Sequence, residues 1–206
     1  MIRRRAALLL PFLPAPAAAQ PALPAPRVLA RFRVLREGSE VGQHVVTAAA
    51  TEGGGTLVTS DLDIHVRLAG FTVFRSRTLT RERLAGASLV EFSAEVLRDG
   101  RTTRLRVLPG GAGLRAEGPN GAVELPRDAL PLAWWFPERF GRTLFEPETG
   151  ARITGRVLRV AQPGGGARIS IEGRQPEAVA SYDAENRWVG FTTRGSDGSE
   201  VSYRAA

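Results

Sequence analysis

An all-β, mainly antiparallel fold is predicted for this chain: a curved meander closing into a barrel or half-barrel, with one short helical segment. Three observations predict it. Apolar and polar residues alternate with a period of two over most of the length, turn signals recur roughly every 8 to 12 residues, and almost no stretch carries a helical period. The 206 residues suit one domain rather than several, and the hydrophobic share of 43% against 24% charged is that of a globular chain.

The first element is a leader. Arg3, Arg4 and Arg5 precede the apolar stretch Ala6 to Leu13, and Ala17-Ala18-Ala19 follows, which reads as a secretory signal peptide over 1–19 cleaved after Ala19. The stretch is broken by Pro11 and Pro14 and falls short of the ~20 apolar residues of a membrane span. The arginine run leaves twin-arginine export open beside the general route, although it lies almost at the first residue and lacks a polar motif around it. The expectation is a periplasmic or secreted protein with no transmembrane span after cleavage. Residues 20–26 are a Pro-rich lead, and 27–206 form the β-rich domain.

Within that domain Val28 to Arg36 alternates, and Arg36-Glu37-Gly38-Ser39 is a turn into Val41 to Ala50. After Thr51 to Gly55 comes Thr56 to Leu68, where Leu62, Ile64, Val66 and Leu68 share one face and Asp61, Asp63, His65 and Arg67 the other. Strands follow at Phe71 to Arg83 and Ala87 to Arg98. Asp99-Gly100 is then a hairpin signal, because a type I′ turn needs positive φ at both central residues. Further strands read at Arg101 to Leu108, Gly113 to Glu117 and Ala122 to Leu125. Asp128 to Phe136 is the one helical candidate, with Asp128 as N-cap and Pro137 as its stop. Strands resume at Ala151 to Ala161, Ala167 to Arg174, Ala178 to Tyr182, Arg187 to Arg194 and Glu200 to Tyr203.

Composition excludes several functions. There is no cysteine, hence no disulfide, no thiolate nucleophile and no Cys-ligated metal. All 28 cations are arginine, and removing 1–19 takes three of them and no acid, so the formal charge falls from +7 to +4. The remaining arginines alternate with acids instead of forming a stripe with interleaved aromatics, so no nucleic-acid partner is expected. Ser88, Ser93 and Ser170 lie in no Gly-x-Ser-x-Gly elbow. The glycine runs lack Gly-Lys-Ser/Thr and open no helix, which removes phosphate cradling. Glu146 and Glu148 flank Pro147 in a loop, a poor basis for paired-carboxylate chemistry.

Two clusters remain. Asp61, Asp63 and His65 project from one strand face, and a β-pairing that set His44 opposite Asp63 would bring two imidazoles and two carboxylates together, a donor set suited to zinc, manganese or iron with an open position for water. A slip of one residue sends His44 to the other face, leaving it a hydrogen-bonded histidine beside Gly42, whose missing Cβ admits another backbone. The second cluster is Trp134, Trp135, Phe136, Phe140 and Phe145. It is either a plug that fills an open end of the sheet or a lid over an apolar groove.

Particular residues carry a resemblance. Phe32-x-Val34 leads into Gly38-x-x-Val41-Gly42-x-His44-x-Val46, and Asp99-Gly100 and Pro131-x-x-Trp134-Trp135 follow. Near the end stand Tyr182-Asp183-x-x-x-Arg187-Trp188-Val189-Gly190 and Asp197-Gly198-Ser199-x-x-x-Tyr203. In this order they resemble the domain-of-unknown-function 6134 family across essentially the whole chain after the leader. Ser181 stands where an aromatic is expected before Tyr182, and Ala85 where a Trp often sits before Gly86. The resemblance implies a secreted, largely antiparallel β protein of Gram-negative bacteria, with no established activity and no catalytic residues to carry over. The functional expectation is a non-catalytic periplasmic β domain, without a cofactor, that binds an apolar envelope component or an envelope protein. The alternatives are a structural or assembly module with a filled interior and a metal-dependent hydrolase built on His44, Asp61, Asp63 and His65.

Overall fold

The computed structural model describes residues 24–206. The leader at 1–19 and most of the Pro-rich lead lie outside the described residues.

Eight strands come first: β1 Arg27–Arg36, β2 Ser39–Ala50, β3 Thr56–Leu68, β4 Phe71–Ala85, β5 Ser88–Arg98, β6 Arg101–Gly110, β7 Gly113–Gly118 and β8 Gly121–Leu125. Each pairs antiparallel with the next. The turn at Asp99-Gly100 has φ of 47° and 82°, the left-handed pair that matches strand twist, so the hairpin signal is obeyed. Five more strands follow a long connection: β11 Val157–Ala161, β12 Ala167–Ile171, β13 Ala178–Tyr182, β14 Trp188–Arg194 and β15 Glu200–Ala205. The last strand returns to the first, Phe32 facing Ala205 and Arg36 facing Val201. The thirteen strands therefore make one antiparallel sheet whose edges are β8 and β11. The meander is closed where the two ends of the chain meet and open where residues 126–156 leave and rejoin it.

Those residues cross the interior. Pro126, Pro131, Pro137 and Pro147 deny them the continuous amide donors of a ladder strand. They form two short segments paired in parallel, β9 Leu130–Pro131 and β10 Leu144–Phe145, and a single 3-10 turn at Pro137–Gly141. The helix expected at Asp128–Phe136 is absent. Leu130 and Leu132 instead donate their N–H groups to the carbonyls of Thr143 and Phe145, and helical geometry begins only at Pro137, which needs no donor at a first turn. The strand expected from Ala151 likewise starts at Val157, after an isolated bridge between Phe145 and Arg152.

Phe92, Leu105 and Leu114 from one flank share a single buried cluster with Ile169, Tyr182 and Trp188 from the other and with Leu130, Leu132, Leu144 and Phe145 of the crossing segment. A sheet that gathers both flanks round one segment is curled, and residues 126–156 are its plug. Each fully buried side chain of this kind is worth about 1.5–3 kcal/mol, so the plug supports the fold as much as it fills it. Its polar fastenings reach both flanks. The Tyr182 hydroxyl donates to the Trp134 carbonyl at 2.6 Å, and the Arg139 guanidinium meets Glu82 of β4. Among the described residues no helix is long and apolar enough to cross a membrane.

Candidate functional site

The register of β2 and β3 decides the first cluster. Gln43 faces Asp63, and His44 faces Leu62, one residue away from the pairing that a four-ligand site requires. The His44 side chain therefore lies on the interior face, and Asp61, Asp63 and His65 on the outer one. Gly42 explains the tight approach, since a Cβ there would overlap the Asp63 carbonyl oxygen. On the outer face His65 Nε2 is 2.9 Å from Asp63 Oδ1, and Arg77 donates to both Asp61 oxygens at 3.0 and 2.7 Å. The expected convergence of His44, Asp61, Asp63 and His65 does not form, and no group of three His, Cys, Asp or Glu side chains among the described residues could hold a metal ion.

His44 has a different setting. Its Nε2 pairs with Ser60 Oγ at 2.7 Å, and its ring stands edge-on to Trp135, Trp188 and Tyr203 at centroid separations of 6.0, 5.5 and 5.6 Å. Nδ1 is buried without a partner. Burial among these rings pushes the imidazole down to about 4, with Asp61 opposing weakly from the far face, so the ring is neutral.

The plug aromatics divide. Phe145 is fully buried and edge-on to Phe92 at 5.5 Å; Trp134 rests on Phe140 and Phe191 at 5.4 and 5.3 Å; Trp135 lies against His44 and Trp188. Phe145 lies in the core, and Trp134, Trp135 and Phe140 pack half-buried against it. Phe136 packs against the core as well, and its ring also carries the Arg139 guanidinium at 4.2 Å. That guanidinium is buried with Glu82: Nη1 is 2.9 Å from Oε2 and 2.7 Å from Oε1. Burial raises the Glu82 carboxyl above the usual range, and Arg139 opposes the rise.

Phe136 and Arg139 form one wall of a half-open cleft of about 410 Å3 between the plug and the ends of β1 to β4. Leu29, Ala48, Leu84 and Leu130 supply its apolar surface, and Arg27, Glu138 and Arg142 its charged rim. Arg142 is held by two backbone carbonyls, of Ala87 at 3.2 Å and Asp128 at 2.9 Å. The alternation of β1 hides Leu29. Val28 pairs with Thr47 and Ala30 with Val46, which leaves Leu29 as the extra residue of a bulge, and bulges re-aim side chains. A second irregularity, between Arg83 and Leu84, shapes the opposite wall.

Comparisons with known proteins agree with this architecture. A search of curated proteins finds no match. Among solved structures the chain is similar to a beta-barrel-like protein of the domain of unknown function DUF1849 from Brucella abortus. The TM-score is 0.55 at 12% identity, covering 88% of this chain and 98% of that one. At that identity the likeness shows the fold alone. The family model described as Domain of unknown function (DUF6134) matches residues 32–206, nearly the whole described fold from β1 to the final strand, and the chain belongs to that family.

Proposed function

We propose that the protein is a non-catalytic periplasmic binding domain that holds an apolar envelope component in the cleft between the plug and the sheet. The observation that carries this reading is the cleft itself. Its volume of about 410 Å3 lies in the range of small-molecule sites, roughly 300–1,000 Å3, and its surface follows the same pattern of mainly apolar walls with a few placed polar groups. The export leader expected from Arg3 to Ala19 supports the compartment. A catalytic reading lacks a comparable basis, since the acids of the outer face are already engaged and His44 is buried away from them.

The competing reading is an assembly module without a ligand, favoured by the burial of Phe145 in the core and the packing of Trp134, Trp135, Phe136 and Phe140 against it. One experiment separates the two. Titration with N-phenyl-1-naphthylamine, a neutral apolar fluorophore, should give saturable binding, and Ala48→Trp, which fills the cleft, should weaken it at least about tenfold while leaving the thermal midpoint nearly unchanged. Absence of saturable binding to the parent, or equal binding by Ala48→Trp, favours the assembly module.

A further inference from the structure

We propose that the β3–β4 hairpin is a docking finger whose tip enters an anionic lipid surface. This surface is separate from the cleft and does not depend on it.

β3 and β4 are the longest strands of the sheet, at 13 and 15 residues, and they outrun their neighbours. The pairing of β2 with β3 ends at Gly42 and Ile64, and that of β4 with β5 starts at Ser76 and Arg98. Beyond those points the two strands bond only to each other, apart from the Asp99 cap on the Arg75 backbone, as a ribbon turning at Ala69-Gly70. Four residues past Ile64 at ~3.4 Å each give an overhang of about 14 Å. A ribbon in water ordinarily ends in polar residues. This one ends in Phe71, 76% exposed, and Val73, 55% exposed.

The charges beside the tip favour lipid. Arg67 and Arg75 are exposed on the two strands just behind Phe71 and Val73. The acids of β3 are already engaged, Asp63 by the His65 ring and Asp61 by Arg77; Arg67 and Arg75 enter no salt bridge among the described residues. Asp99, the nearby acid, spends one oxygen on the Arg75 backbone N–H at 2.9 Å. Apolar side chains at an apex with cations set behind them match the layering of an anionic bilayer, acyl chains beneath a phosphate plane. A protein partner fits less well, because a stable protein interface needs on the order of 1,000 Å2 or more with complementary shape, and a two-stranded tip offers a narrow convex edge.

The test is flotation of the purified protein with phosphatidylcholine vesicles, with and without about a quarter phosphatidylglycerol. The parent should float with the anionic vesicles. Phe71→Ser with Val73→Ser should lower the bound fraction about tenfold at an unchanged thermal midpoint, since both positions are solvent-exposed. Arg67→Gln with Arg75→Gln should remove the preference for phosphatidylglycerol. A Phe71→Trp variant adds a direct reading, with blue-shifted emission quenched by brominated lipid beyond the parent signal. Equal flotation of the parent and the serine variant overturns the proposal. So does failure of the parent to float, and so does a dimer in light scattering that the serine variant breaks without any vesicle binding, which assigns the tip to a second copy.

Discussion

Lowering the pH from about 7.5 to about 4.5 should destabilise the protein through the burial of His44. The ring titrates near 6.5 in an unfolded chain and at about 4 in the fold, where burial among Trp135, Trp188 and Tyr203 disfavours the cation. The unfolded state therefore binds more protons throughout that interval, and stability falls as pH falls. The contribution is fully present above about pH 6.5 and is lost progressively on the way to about 4. A tenfold difference in proton affinity between the two states is worth about 1.36 kcal/mol, so the ceiling is about 3 kcal/mol, and most of it, about 2–3 kcal/mol, is lost by about pH 4.5. Urea denaturation of the parent and of His44→Gln at a series of pH values measures it, because carboxylate titrations common to both proteins cancel in the difference. The stability advantage of the parent should shrink by about 2–3 kcal/mol across the range, with unchanged m-values. A difference that stays constant with pH would refute the assignment of His44 as a buried neutral ring and reopen its availability as a ligand.

Two other expectations follow from the site. Glu82→Leu should cost about 3–5 kcal/mol by leaving Arg139 buried without its partner, and Glu82→Leu with Arg139→Met should recover most of that loss; urea midpoints of the two variants check it, and additive losses would show that the pair is not coupled. Asp63→Asn should change stability by no more than about 0.5 kcal/mol, as surface substitutions do, and should leave the metal content of the purified protein unaltered by plasma mass spectrometry; loss of a bound metal would restore the outer-face site that the register argues against.

The fold was legible because its causes are local. Strict alternation on β3 names the interior face without any partner strand, and Asp99-Gly100 specifies its own turn. The site was less legible because its causes are not. Whether His44 faces Asp63 or Leu62 depends on one residue of register, which the glycine-rich turn from Gly53 to Gly55 does not determine, and that single step separates a metal cluster from a buried aromatic pocket. The helix expected from Asp128 failed for a related reason. Leu130 and Leu132 find their hydrogen-bond acceptors in Thr143 and Phe145, and a partner that far along the chain leaves no periodic trace. Arg139 and Glu82 illustrate the same limit. Neither stands in a motif, and only the crossing of the plug over β4 buries them together.

The position of the opening connects these observations. A meander of this length could close edge to edge, but here the first and last strands join, and the gap is left where the chain turns inward between β8 and β11. The proline-bearing segment that lines the gap cannot serve as a fourteenth ladder strand, so it becomes the core of a sheet too wide to fill its own interior. A plug held by aromatic packing and one buried ion pair leaves space where it meets the strand ends, and the bulge at Leu29 turns an additional apolar side chain into that space. The cleft is thus a consequence of closing the sheet at the chain termini. A variant that loosened the plug, such as Glu82→Leu, should alter apolar-probe binding as well as stability, linking the two through the shared wall of Phe136 and Arg139.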